Sequence, residues 1–184
     1  MSTYRERNSI RKVIEEFTST GYVDEIIVVN NNAEPGTDEE VRKTKAKLIH
    51  ETRQGYGYGY RRGIKEATGD YIVLCEADST FAAADLERFF VFAKDFPAVI
   101  GSRTNTSTIF DNKTMHFWRR LADVIYAKTI EVIFSTTTLT DIGCTYKLFH
   151  NKILRQLEPH FQTTDSLFAT ELTLLVATHR IPFV

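Results

Sequence analysis

The amino-acid sequence predicts an α/β fold with a mostly parallel, buried sheet flanked by helices. Three observations carry the prediction. Short β-branched runs such as Ile26-Ile27-Val28-Val29 and Tyr71-Ile72-Val73-Leu74 stop abruptly on polar clusters. Between them lie segments whose apolar residues recur at three and four positions. Strands that alternate with helices in this way need right-handed crossovers, which place the sheet between helical layers.

Taken in order, residues 8–18 predict a helix with Ile10, Val13, Ile14 and Phe17 on one face. Residues 25–29 predict a strand running into Asn30-Asn31-Asn32, with Pro35-Gly36 after it. Thr37 or Asp38 then caps a helix reaching Lys43. Residues 46–50 read as a strand and 55–60 as a Gly/Tyr loop. A helix follows to Ala67, ended by Thr68-Gly69. The clearest strand, 71–75, ends on Glu76-Ala77-Asp78. Residues 82–94 repeat Leu86, Phe89, Phe90 and Ala93 at helical spacing until Pro97. A strand at 98–100 closes on Gly101-Ser102-Arg103. Residues 115–134 predict a long amphipathic helix through Trp118, Leu121, Ile125 and Val132. A strand at 145–149, a helix at 166–178 and the start of a strand at 181–184 complete the series. A doubly wound sheet ordinarily opens with a strand before its first helix, and residues 1–10 hold no apolar run. The expectation is one domain, 1–184, lacking its first strand and its C-terminal end.

Composition bounds the function. The 184 residues carry 23 Lys and Arg against 24 Asp and Glu, a net charge of −1, so no basic field marks a nucleic-acid partner. Two cysteines in apolar surroundings exclude a disulfide scaffold. No apolar run reaches the ~20 residues of a membrane span, and the first residues do not form a signal peptide. The expected location is cytoplasmic.

In open α/β sheets ligands bind at the carboxyl ends of strands. Asn30 to Asn32, Glu76 to Asp78 and Ser102-Arg103 all fall there. Glu76 and Asp78 are two residues apart, a spacing that in extended chain points both carboxylates one way and suits a divalent cation such as Mg²⁺ or Mn²⁺. The alternative is that one acid caps the next helix and the other is solvated. Gly55-Tyr56-Gly57-Tyr58-Gly59-Tyr60 suits a loop approaching phosphate or nucleoside, a base-stacking tract, or a turn whose tyrosines pack on neighbours. Asp141 is a turn residue or a base. Cys75 and Cys144 lack metal-ligand spacing.

In order along the chain these pieces resemble the catalytic domain of glycosyltransferase family 2, the GT-A fold, in its dolichyl-phosphate mannose synthase-like, polyprenyl-phosphate branch. The segments that carry the resemblance are 23–29, Gly55-Tyr56-Gly57 through Gly63, 67–74, Glu76-Ala77-Asp78 for the Asp-x-Asp motif, 99–103, 141–149 and 168–172. The resemblance implies inverting transfer from a UDP- or GDP-linked sugar, assisted by Mg²⁺ or Mn²⁺, to a polyprenyl phosphate or a glycan acceptor. It implies Asp78 as the principal metal ligand, with Glu76 on the metal or ribose side. Asn30 and Gly57 would lie by the nucleoside. Glu6 joins them, because Tyr4-Arg5-Glu6 resembles the tail of the family's Pro-x-Tyr-Asn-Glu motif. Asp141 takes the place of a general base at the acceptor face, and Arg103 and Lys147 that of cations near phosphate. The sequence departs from the family at Glu76 (usually Asp), Asn30 (usually acidic), Arg5 (usually Asn) and Thr145 (often Gly in polyprenyl-phosphate enzymes).

Two other classes share these features: a nucleotidyltransferase of similar fold, and an inactive nucleotide-binding remnant that has lost a central strand. Such a remnant is expected to be unstable, to dimerise by strand exchange, or to be rescued by residues upstream. Phe117 and Trp118 beside Arg119-Arg120 raise peripheral membrane contact against plain core packing of that helix.

Overall fold

The computed structural model describes residues 1–103 and 117–184, the side chains of 117–120 excepted. Strand and helix alternate through most of the chain: β1 (Ser2–Thr3), α1 (Ile10–Ser19), β2 (Ile27–Asn30), α2 (Thr37–Arg42), β3 (Lys47–His50), α3 (Tyr56–Glu66), β4 (Tyr71–Leu74), α4 (Asp85–Phe92), β5 (Ala98–Ile100), α5 (Phe117–Phe134), β6 (Lys147–His150), α6 (Asn151–Leu157) and α7 (Phe168–Thr178), with one 3₁₀ turn at Glu158–His160.

The strands form two three-stranded sheets. One has the order β1-β2-β3 and is parallel throughout, with Ser2 opposite Val29 and Ile27 opposite Lys47. The other has the order β4-β6-β5, and β6 runs antiparallel to both neighbours. The parallel expectation therefore describes the first half, while in the second half one strand is inserted in the opposite sense between two that run the same way. Leu148 and Phe149, adjacent on β6 and both fully buried, show what this insertion does. Alternation sends Phe149 to the cluster of Tyr60, Ile64, Phe168 and Leu172 beneath α3 and α7. Leu148 goes to the cluster of Phe17, Leu86, Phe89 and Tyr146 beneath α1 and α4. A third cluster, Ile10, Ile14, Val28 and Val41, seats α1 and α2 on β2.

Four expectations change. Ahead of the first helix stands a short strand, Ser2–Thr3, where the hydropathy pattern offers none; polar side chains suffice because backbone pairing with β2 holds it. The Gly/Tyr tract is helix from Tyr56, not loop, because its glycines are needed for close packing and its tyrosines supply the buried face. At the C-terminus Phe183 makes only a single parallel bridge to Ala98. On α5 the apolar positions Leu121, Ile125 and Val132 are 41%, 56% and 77% exposed, whereas Ala127 and Ile130 are buried. Phe117 to Arg120 fall outside the described side chains. Among the described residues no helix is long and apolar enough to cross a membrane.

Candidate active site

The carboxyl ends of β1, β2, β4 and β5 lead into polar turns, joined by the segment that precedes β6. β4 ends into Glu76, whose carboxylate accepts a 2.6 Å hydrogen bond from the Thr145 hydroxyl and a 3.3 Å bond from the Tyr56 hydroxyl. Thr145 and Tyr56 are also hydrogen-bonded to each other. Tyr56 is held by its neighbours in the cluster, its ring 4.5 Å from that of Tyr60, whose hydroxyl donates to the Cys75 carbonyl at 2.9 Å. Burial pushes the Tyr56 phenol above its ordinary range, and the charge of Glu76 adds to the effect, so it serves as a neutral donor.

Asp78 is exposed, and one of its oxygens accepts from the Thr80 amide at 2.9 Å in a tight turn where Ser79 has φ 65°. Glu76 faces the Tyr56–Thr145 pair instead. Among the described residues no three His, Cys, Asp or Glu side chains gather as a metal cage. What is present suits a hard divalent ion of the Mg²⁺ or Mn²⁺ kind, which takes one or two carboxylates and completes its shell with water and phosphate oxygens.

β5 ends into Arg103, which grips Asp141. The guanidinium donates to both carboxylate oxygens (Nε to Oδ2 at 2.9 Å, Nη2 to Oδ1 at 3.2 Å), and the Arg103 and Gly143 amides donate at 2.9 and 3.1 Å. The Asp141 side chain is fully buried while that of Arg103 is 20% exposed. Burial pushes the Asp141 carboxyl up, but the hydrogen bonds and charge of Arg103 outweigh it and leave the group below the usual carboxylate range. Lys147, one turn of chain further on, is fully buried and donates to the Cys144 carbonyl. Burial lowers its ammonium to about 8, against the attraction of Cys144 and Asp141. The structure thus brings Asp141, Arg103 and Lys147 into one electrostatic neighbourhood with Glu76.

At the other end of the site the predicted residues serve their own turns. The Glu6 carboxylate accepts from the Thr3 hydroxyl (3.0 Å) and the Tyr4 and Arg5 amides (2.6 and 2.9 Å). Asn30 donates to Asp38 at 2.6 Å and accepts from the Ala33 amide at 2.7 Å, and Asp38 also meets the His50 ring at 2.9 Å. The Gly57 amide donates to the Thr164 carbonyl at 2.9 Å, and a Cβ there would lie 2.7 Å from the Thr163 carbonyl oxygen. Sequence reasoning missed Asn31. It is buried, donates to the Glu51 and Arg53 carbonyls at 3.0 and 2.7 Å, and accepts from the Gly55 amide at 2.9 Å, so it ties β2 to the start of α3. Its position within a run of three asparagines was the available signal.

The architecture has known counterparts. Solved structures of glucosyl-3-phosphoglycerate synthase from Mycobacterium tuberculosis superpose on it: one at TM-score 0.72 and 14% identity, over 98% of this chain and 64% of theirs. A complex of that synthase with Mn²⁺, uridine diphosphate and phosphoglyceric acid gives 0.70 at 16% identity, over 97% and 62%. The chain thus spans just under two-thirds of these structures. A dolichyl-phosphate hexose transferase of Haloferax volcanii is 21% identical over 159 residues, 86% of this chain and 68% of the relative. The α/β fold is that of the GT-A glycosyltransferases. The profile of "Glycosyl transferase family 2" matches residues 1–158, a span that takes in every strand described above, and the chain belongs to that family.

Proposed function

We propose that this chain transfers a sugar, with inversion, from a UDP- or GDP-linked donor to an acceptor that is already ionised, such as a polyprenyl phosphate. The observation that carries this reading is the full engagement of Asp141. Its oxygens accept four hydrogen bonds from Arg103 and Gly143, and its proton affinity is depressed. A hydroxyl acceptor needs a base with a free oxygen near neutral pH, whereas a phosphate oxygen needs none. One relative's name agrees in kind, a dolichyl-phosphate hexose transferase; the phosphoglyceric acid described with the other carries both a phosphate and a hydroxyl and does not favour either acceptor.

In this reading Asp78 would hold a divalent ion, which would supply positive charge against the leaving diphosphate, while Glu76 is turned to Tyr56 and Thr145. The chain's own residues do the rest. Tyr56 and Thr145 fix the Glu76 carboxylate. Asp141 fixes Arg103, whose cation faces the diphosphate as negative charge grows on it, an interaction stronger in the transition state than before it. Lys147 adds to the same positive field from within the fold. Asn30, Gly57 and Glu6 shape the turns along which the nucleoside lies.

Calorimetry with UDP- and GDP-sugars, with and without Mn²⁺, tests the donor half. Metal-dependent binding that disappears in Asp78→Asn is expected, and no nucleotide binding under either condition refutes the proposal. For the acceptor half, transfer to a polyprenyl phosphate is expected, with no limb of the pH profile that belongs to Asp141. Transfer only to neutral sugar hydroxyls would overturn it.

A further inference from the structure

We propose that Tyr56 and Thr145 latch the Glu76 carboxylate away from the divalent ion, which leaves Asp78 to receive it and makes ion binding depend on the donor's diphosphate. The latch rests on the nucleotide-sugar reading above and adds to it a reason why metal and nucleotide bind as a unit.

Glu76 and Asp78 stand on either side of Ala77, and the backbone between them is pinned. The Ala77 carbonyl accepts from the Ser9 hydroxyl at 2.7 Å, and the Ala77 methyl is buried in the cluster of Ile10 and Ile14. With the backbone fixed, the Glu76 side chain alone sets where its carboxylate points. Both hydroxyls donate to the same oxygen, Oε1, at 2.6 Å from Thr145 and 3.3 Å from Tyr56, and they also bond each other. The two hydroxyl protons are thus both spent inside one triangle. Neither hydroxyl is mobile. Thr145 is buried, and the Tyr56 ring is packed 4.5 Å from that of Tyr60.

Hydroxyl donors and a cation compete for the lone pairs of one carboxylate. On its inner side the Glu76 charge is felt by Arg103 and Lys147, whereas Asp78 is exposed and bonds only its own turn through the Thr80 amide. Among the described residues no third acid, His or Cys joins the two. A hard divalent ion held by one exposed carboxylate binds weakly until phosphate oxygens complete its shell. Reciprocity then makes the ion tighten the diphosphate by the factor with which the diphosphate tightens the ion.

The opposite role is equally definite. A partner that merely orients a ligating carboxylate strengthens metal binding, and its loss costs about 10–100-fold in affinity. Removing the latch should instead produce a gain.

The probe is Mn²⁺, titrated into the full 184-residue chain and followed by the paramagnetic resonance of the free ion, without nucleotide and with saturating UDP or GDP. The wild type should bind Mn²⁺ alone about tenfold more weakly than with nucleotide. Thr145→Val with Tyr56→Phe removes both hydroxyls and keeps their bulk. This variant should bind Mn²⁺ alone about tenfold more tightly than the wild type and narrow the gap to the nucleotide complex. Adding Glu76→Ala should abolish the gain, and Thr145→Ser, which keeps a hydroxyl, should match the wild type. Tyr56→Phe alone keeps the ring on Tyr60 and should show part of the gain, so it decides the matter if the double variant does not fold. The latch is overturned if the released variants bind Mn²⁺ alone no more tightly than the wild type, or if the gain survives Glu76→Ala. Failure of the donor reading looks different: the wild type then binds no Mn²⁺ even with nucleotide, and the latch falls with it.

Discussion

At the scale of single residues, the site is a set of carboxylates each committed to a different partner. Asp141 is the most committed. A fully buried carboxylate paired to a largely buried guanidinium is costly to break on one side, because the remaining charge stays desolvated. Asp141→Ala should therefore destabilise the fold by about 3 kcal/mol in urea unfolding. If Asp141 positions Arg103, then Asp141→Asn, which keeps two acceptor-capable contacts, should lower kcat without introducing a new pH dependence. A base would instead lose a limb of the pH profile. Glu76 gives a second test. Thr145→Val removes a 2.6 Å bond to a carboxylate and should cost about 1–2 kcal/mol, and the loss should vanish in a Glu76→Ala background if the two act as a pair. These links explain what the sequence concealed. Glu76, Asp78, Arg103 and Asp141 are readable as candidates from strand ends alone. That Thr145, 69 positions away, and Tyr56 would take Glu76 from a shared carboxylate pair is a tertiary fact with no local signal. The same holds for the burial of Lys147, which the resemblance marks as a cation near phosphate and the fold buries fully.

At the scale of elements, helix α3 shows why the pattern was legible and its purpose was not. Alternating Gly and Tyr suggests a loop, since glycine disfavours helix by about 1 kcal/mol per residue. In the structure that cost is offset by contact. A Cβ on Gly59 would lie 2.1 Å from the Ser2 hydroxyl, and one on Gly63 would lie 3.2 Å from a Val29 methyl. The glycines let α3 lie directly on β1 and β2. Gly59→Ala should thus lose about 2 kcal/mol despite its better helix propensity, by the strain of overpacking. Gly63→Ala should lose less, because a methyl group shifts more easily than the backbone-bound Ser2. Chemical denaturation of the two variants and of Gly59→Ala with Ser2→Gly checks the order, with partial rescue expected in the double variant. Strands β2, β4 and β5 were legible because β-branched runs ended on polar turns. The inverted sense of β6 was not, because pairing direction leaves no mark in a strand of four residues. The exposure of Leu121, Ile125 and Val132 was likewise hidden, since periodicity marks an apolar stripe without saying what covers it.

At the scale of the whole molecule, the division of the sheet places a charge where a strand would carry a neutral amide. Met1 is half-buried as a residue, yet its amine lies withdrawn from water against the Ile27 carbonyl, and burial lowers it from 8.0 to about 6, only weakly opposed by Cys75. The unfolded chain therefore holds more protons than the folded one between those values. Stability must rise with pH through that window. The penalty is fully present below pH 6 and gone above 8, and a shift of this size corresponds to about 3 kcal/mol. Lys147 contributes with the same sign at higher pH, between about 8 and its ordinary 10.5. Urea midpoints should accordingly climb from pH 6 to 8 and continue to rise above it. Acetylating Met1 during expression removes the first titration, so the acetylated chain should be more stable at pH 6 and nearly flat to pH 8, with the Lys147 limb retained. Identical slopes for the free and acetylated chains would show that the amine is solvated, and that the gap between the sheets is not the desolvated environment described here.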